Sequence, residues 1–329
     1  MSILEAVTLG VIQGLTEFLP ISSTAHLRVV PALLGWDDPG AAFSAVIQCG
    51  TLAAVCVAMR RDIAAILCDS LASLRSGRLP ATPASRAGLF IIFGTVPIVV
   101  AGLLFKDFIK GPLRSLEAVI TALLAATVVM MAAEWLCRRR GLRGDTGRDG
   151  LDTLGWTDCL LMGCAQALAL FPGTSRSGIT IAAGMLGGLD RRTAARFSFL
   201  LSLPAIAAAA LLELVEERHA LLGSRAAVEA AVWGTLTAAI VGYAAIRWLL
   251  RMLTSHTLWP FIAYRIVLAG LLAWALASGL VPATAATGEA SSLLPHAAPV
   301  AQASRLANAG CGATGRDTTV ADRRPSAIV

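Results

Sequence analysis

The chain has 329 residues, 56% of them hydrophobic and only 15% charged. Soluble domains sit nearer about 45–50% apolar and about 25% charged, and with a mean hydropathy of +0.72 a soluble globular fold is excluded. The net charge of +6 comes largely from arginines clustered between apolar runs, which is a mark of membrane topology. No nucleic-acid partner is expected.

The region at about 2–35 holds two short apolar pieces, split by Pro20 and by Ser22-Ser23-Thr24. Neither piece spans a bilayer comfortably, so it reads as a re-entrant helix–turn–helix that enters and leaves on one side. It carries Glu5 and Glu17 and lacks a basic leading region, so it is not read as a cleavable signal. Full spans are expected at about 41–59, 88–105 and 116–136. A second broken region follows at about 155–189, then spans at about 193–214, 227–250 and 260–279. At 1.5 Å per residue each full span crosses or nearly crosses a ~30 Å hydrocarbon core. Runs this long leave no room for a β-barrel. The stretch 281–329 is rich in Ala, Ser, Thr, Gly and Pro and reads as a disordered tail. None of the seven cysteines forms a CxxC pair, so they read as small hydrophobes.

The two broken regions begin two repeats, at about 1–136 and 155–280 of a single membrane domain 1–280. Gly10-x-x-Gln13-x-Leu15-x-x-Phe18-Leu19-Pro20-x-Ser22-Ser23 matches Gly163-x-x-Gln166-x-Leu168-x-x-Phe171-Pro172-x-Thr174-Ser175, with one residue deleted before the proline. Downstream, Phe43-Ser44 matches Phe197-Ser198. Each half then has a re-entrant pair and three crossings. Three is odd, so the halves run in opposite senses. The expected fold is therefore an all-α integral membrane protein with six transmembrane helices plus two re-entrant helix pairs in an inverted-topology repeat, with a polar site near the midplane. One connection carries Arg60, Arg61, Arg75, Arg78 and Arg86, and another carries Arg138, Arg139, Arg140, Arg143 and Arg148. Both fall on the same side, which is then cytoplasmic. The connections at 106–115 and 215–226 and both termini fall outside. The first re-entrant pair opens outward and the second inward.

Arg176 sits between nearly uncharged stretches. An arginine at depth costs roughly 2.5–3.5 kcal/mol on insertion scales, so it must meet an anion or line a wet cavity. Gln13 and Glu17 are i, i+4 and share a helix face. Pro20 ends that helix, and Ser22, Ser23 and Thr24 begin the next with free N–H groups that suit an anion. His26 lies three residues after Ser23, on the same face. Ser175, Ser177 and Thr180 surround Arg176 in the second region. Two helix N-termini and one guanidinium can together hold a pyrophosphate. Each residue also has a structural reading: hydroxyls cap helices, histidines sit satisfied in cores, and Glu17 can neutralise Arg176. Glu5, Glu117, Glu134 and Asp158 lie near span ends and read as interfacial.

Gln13-x-x-x-Glu17 resembles the (Glu/Gln)-x-x-x-Glu motif of the undecaprenyl-pyrophosphate phosphatase family of the bacitracin-resistance type. Pro172-Gly173-Thr174-Ser175-Arg176-Ser177-Gly178-Ile179-Thr180 is similar to that family's Pro-Gly-x-Ser-Arg-Ser-x-x-Thr motif at every fixed position, and Ser22-Ser23-Thr24 with His26 resembles its serine–histidine segment. The resemblance covers about residues 1–280. It implies hydrolysis of undecaprenyl pyrophosphate to undecaprenyl phosphate and phosphate, which recycles the lipid carrier for cell-wall synthesis. It also implies a divalent cation (Mg²⁺ or Ca²⁺) and a place in the bacterial inner membrane facing outward. By the same resemblance Glu17, Ser23, His26 and Arg176 are the central catalytic residues, with Ser22, Thr24, Ser175, Ser177 and Thr180 around the phosphates. Glu17, and more weakly Gln13, would hold the metal. A homodimer is compatible with this reading. Two mechanisms fit: attack by Ser23 with Glu17 or His26 as base, and direct attack by water. The same architecture also fits a carrier of lipid phosphate or a phosphorylated solute, or a protein with both activities.

Overall fold

The computed structural model describes residues 1–279 apart from 38, 79, 106–107, 109–112, 114, 142–146, 219–220 and 222. The tail expected at 281–329, with Cys311, lies outside the described residues, as do Arg143 and most of the connection at 106–115. The helices are α1 (Ile3–Phe18), α2 (Ser23–Leu34), α3 (Gly40–Ala58), α4 (Arg60–Arg75), α5 (Pro83–Leu104) and α6 (Leu116–Gly141), then α7 (Trp156–Leu168), α8 (Arg176–Leu186), α9 (Arg191–Glu216), α10 (Arg225–Met252) and α11 (Trp259–Ala277). No strand occurs among the described residues; Arg148 and Leu189 form one isolated bridge. Helices α5, α6, α9, α10 and α11 are each long and apolar enough to cross a membrane. The sixth span, α3, meets that measure together with α4, from which it is bent by 75°. The six expected spans and the two short pairs are all present, and the protein is a multi-pass membrane protein.

Helix α4 differs from expectation, since the sequence reading made Arg60–Arg75 part of a basic connection. Its polar residues are two-sided. Asp62 and Asp69 turn inward, to Arg196 at 2.8 Å and the Thr82 hydroxyl at 2.7 Å. Ile66 is buried while Leu67, Leu71 and Leu74 are exposed. A 3.6-residue period was present there, masked by the arginines at its ends.

The two halves are interleaved. Helix α1 packs on α10, the second span of the other half, and α7 packs on α5, its counterpart in the first half. Both seams need glycine. A Cβ on Gly10 would lie 2.5 Å from the Gly234 carbonyl oxygen, and one on Gly163 would lie 2.7 Å from that of Gly94. Gly10 and Gly163 are the first matched pair of the repeat, and the structure gives their match a steric cause. With little hydrophobic driving force between helices in lipid, such close backbone packing supplies the attraction.

The structure also corrects the register of the repeat. Ser22 (φ 76°) and Ser175 (φ 69°) are the non-glycine residues with positive φ among those described. Each immediately precedes a helix, α2 or α8. Their spacing, 175 − 22 = 153, equals that of the glycines, 163 − 10 = 153. Ser22 therefore corresponds to Ser175, and Ser23 to Arg176, with no deletion. The proline is what shifts, because α7 ends at Leu168 and a longer turn follows.

Glu134 and Asp158, read as interfacial, are buried at 1% exposure. Glu134 pairs with Arg191 and accepts from the Leu258 amide at 3.2 Å. Asp158 pairs with Arg148 at 2.6 Å and accepts from the Gly155 amide at 2.9 Å. Each lies near a span end, but partners from other elements close over it.

Overpacking a close helix contact costs about 1–3 kcal/mol. Gly10→Ala and Gly163→Ala should each lower the melting temperature in detergent by several degrees. Gly102→Ala, with open space around it, should leave it unchanged.

Candidate active site

The two strained turns, Leu19–Ser22 and the chain between α7 and α8, bring their helix starts together. Left-handed serine costs on the order of 1–3 kcal/mol and persists only where surroundings enforce it. The reason in each case is direction: the chain must reverse within a few residues and start a new helix aimed back into the protein. Ser175 accepts from the Gly178 amide at 3.2 Å, a true N-cap; Ser22 makes no such bond.

At the meeting point, Arg176 Nη2 donates to Glu17 Oε1. The pair is largely enclosed, at 18% and 5% side-chain exposure. The other carboxylate oxygen, Oε2, accepts from Ser23 Oγ at 2.9 Å and from Gln13 Nε2 at 3.1 Å. Thus Gln13, Glu17, Ser23 and Arg176 form one connected group drawn from both halves. Ser177 Oγ donates to the Leu19 carbonyl at 3.3 Å and lies 3.3 Å from Ser175 Oγ. Thr180 is wholly buried below the site, donating to the Arg176 carbonyl at 2.7 Å and touching Ser198 Oγ at 2.6 Å. It supports Arg176 from behind and does not face the cleft.

His26 stands apart from this group. Its Nδ1 lies 2.7 Å from the Ser22 carbonyl, which can only accept, so Nδ1 carries the proton. Nε2 then accepts from the Tyr264 hydroxyl at 2.6 Å. Both ring nitrogens are occupied away from Ser23.

A residue absent from the sequence reading, Arg265 on α11, sits behind the turns at 0% exposure. Its Nε donates to Thr127 Oγ1 at 2.8 Å, and its Nη2 to the Leu123 carbonyl at 2.8 Å. It also reaches the carbonyls of Thr174 at 3.1 Å, Gly173 at 3.3 Å and Pro20 at 3.5 Å. All these partners are neutral. The available signal was a lone arginine within the apolar run 260–279, the same signal that singled out Arg176. With Arg176 and Arg265 against Glu17, the site carries an excess positive charge, which suits a polyanion.

In front of the group lies an open cleft of about 190 Å³. Its lining is polar in part, with Thr16, Glu17, Ser22, Ser23, Thr24, Gln48, Ser175 and Arg176, and apolar in part, with Ile98, Ala169, Leu170, Phe171, Ala205 and Ala209. Phe171 is 40% exposed.

The fold and site define a multi-pass membrane protein in which a largely enclosed carboxylate–guanidinium pair joins the two halves of the chain. The family described as bacitracin resistance protein BacA matches residues 6–271, and the chain belongs to that family. It is 50% identical over 286 residues to the undecaprenyl-diphosphatase of Chlorobium phaeobacteroides (strain BS1), covering 86% of this chain and 100% of that one. It is 47% identical over 284 residues to the undecaprenyl-diphosphatase of Chlorobium limicola, again covering 86% and 100%. With that of Chlorobaculum tepidum it shares 48% over 268 residues, 82% and 95% of the two chains.

Gln13 gives Glu17 one hydrogen bond to a charged acceptor, worth about 1.5–3 kcal/mol. Gln13→Leu should lower kcat/KM for phosphate release by roughly 10–100-fold, and Glu17→Gln by more. Equal activity in all three proteins would separate the Gln13–Glu17 pair from the chemistry.

Proposed function

We propose that this protein hydrolyses undecaprenyl pyrophosphate to undecaprenyl phosphate and inorganic phosphate. The observation that carries this reading is the mixed lining of the cleft. Its polar part includes Arg176 and the starts of two helices, a fit for a pyrophosphate. Its apolar part includes Phe171, which is 40% exposed, a fit for a prenyl chain that stays in the bilayer. A soluble phosphate ester has no use for the apolar part.

Arg176 and the amides that open α2 and α8 bind the phosphates and stabilise charge on the transferring phosphoryl oxygens. Arg176 now spends one nitrogen on Glu17; a planar guanidinium has further donors for phosphate. Ser23 Oγ already donates to Glu17 Oε2 at 2.9 Å. This supports Ser23 as nucleophile with Glu17 as base. Its oxygen bonds to the terminal phosphorus, the anhydride bond breaks, and prenyl phosphate leaves; water then releases phosphate from the serine. His26, engaged elsewhere, is not needed as the base. In the alternative, Glu17 takes the proton of an attacking water.

A divalent cation, Mg²⁺ or Ca²⁺, belongs to this reading. Such ions take oxygen ligands, and Mg²⁺ in particular is held by one or two carboxylates plus substrate phosphates. Glu17 with the Gln13 carbonyl oxygen is a set of that kind. No cluster of three or more His, Cys, Asp or Glu occurs among the described residues, and substrate phosphate oxygens would complete the ligand set. The ion would supply positive charge against the pyrophosphate. The arginine-rich connections would face the cytoplasm of a bacterial inner membrane, with the cleft and both termini toward the outside.

The interleaved repeats also suit a carrier. Phosphate release in detergent micelles, where transport has no meaning, discriminates the two. Purified wild type should release phosphate from a long-chain prenyl pyrophosphate, with Arg176→Ala slower by at least about 100-fold. A wild type that releases none excludes hydrolysis. Rapid quenching should trap a phosphoserine that Ser23→Ala lacks; Ser23→Ala with most activity intact leaves water as the nucleophile.

A further inference from the structure

Two neighbouring residues of α11, Tyr264 and Arg265, reach the site's two strained turns without facing the cleft. We propose that they are positioning residues for the phosphoryl-transfer site, Arg265 acting through the turn backbones and Tyr264 through His26. This rests on the hydrolase reading above.

The case for Arg265 begins with cost. A guanidinium at 0% exposure carries a desolvation penalty of several kcal/mol unless its donors are met. Among the described residues no carboxylate pairs with it. Its bonds go instead to Thr127 Oγ1, the Leu123 carbonyl, and carbonyls in both turns: Pro20 in the first, Gly173 and Thr174 in the second. Thr127 and Leu123 anchor it on α6. A residue needed only for packing would be apolar here, since a well-packed hydrophobe commonly replaces a buried charge at no loss of stability. What an apolar residue cannot do is hold carbonyls from two turns in one plane. The Thr174 carbonyl belongs to the residue before Ser175, and Pro20 is two before Ser22. Arg265 therefore fixes the approach of both left-handed serines, and with them Ser23 and Arg176.

Tyr264 acts on the first turn from its other side. Its ring stacks on His26 at 5.6 Å and 10°, and its hydroxyl donates to Nε2 at 2.6 Å. With Nδ1 donating to the Ser22 carbonyl at 2.7 Å, Nε2 is left as an acceptor that the Tyr264 hydroxyl fills. Stack and hydrogen bond together fix the ring that holds the Ser22 backbone, at φ 76°. Ser23 follows directly and donates to Glu17.

The test uses the full chain in detergent, with phosphate release from a long-chain prenyl pyrophosphate normalised to folded protein. Tyr264→Phe keeps the ring and should keep the melting temperature and KM, while kcat falls by roughly tenfold. Because Tyr264 works through His26, Tyr264→Phe combined with His26→Ala should lose no more kcat than His26→Ala alone, as a double-mutant cycle reads it. Arg265→Lys keeps the charge but not the planar fork, and should lower kcat by roughly 10–100-fold with a smaller change in KM. Arg265→Met, if it folds, should fall at least as far. If it does not fold, Arg265→Lys and Tyr264→Phe decide. Wild-type kcat in Tyr264→Phe, additive losses in the double variant, or an Arg265→Lys loss that merely follows melting temperature would each overturn the positioning role. Absent release by the wild type would instead sink the hydrolase reading on which it stands.

Discussion

A carboxylate and a guanidinium from opposite halves of the chain meet inside a membrane body, and each is tolerable there because of the other. Either alone would be a buried, uncompensated charge, and removing one partner of such a pair costs about 3–5 kcal/mol. The pairing of Glu17 with Arg176 therefore ties the packing of the repeats to the chemistry of the cleft. Ser23 and Gln13 complete the carboxylate's shell, so that its only remaining freedom is toward the cleft. In the proposed reaction substrate phosphate would compete for Arg176, and a cation or a proton from Ser23 would compensate Glu17.

The two halves share backbone and differ in charge. With a constant offset of 153, Gln13 corresponds to Gln166, Glu17 to Leu170, Ser22 to Ser175 and Ser23 to Arg176. The turns are alike down to the left-handed serine. The side chains are not: one half supplies the carboxylate and the hydroxyl, the other the guanidinium. Gln166 shows what the acid does for its neighbour. Gln13 has Glu17 to bond, whereas both amide atoms of Gln166 are buried without a partner among the described residues. Glu17 and Arg176 do not stand at matched positions: Leu170 and Ser23 occupy their counterparts, so the chain forms one such pair where two symmetric ones would be possible.

Much of this was legible from the chain alone, because a membrane makes polarity conspicuous. Glu17 and Arg176 stood out against apolar flanks, and the prolines and hydroxyls marked the turns. The span positions followed from length and hydropathy. Other features were hidden for physical reasons. The register of the repeat is hidden because proline is the conspicuous landmark in the sequence, whereas the backbone repeats at the serine with positive φ. Helix α4 was hidden by its terminal arginines. Glu134 and Asp158 looked interfacial by position, and only three-dimensional packing supplies their arginines. Arg265 carried the right signal in a span otherwise read only as an apolar crossing. His26 shares a turn with Ser23, yet its ring is drawn away by Tyr264, 238 residues distant.

The crossed packing of α1 on α10 and α7 on α5 bears on how the cleft comes into being. The glycine contacts at Gly10 and Gly163 and the Glu17–Arg176 pair each draw one side from either half. One half alone holds the acid without its arginine, or the arginine without its acid, so the cleft is a product of the two folding together.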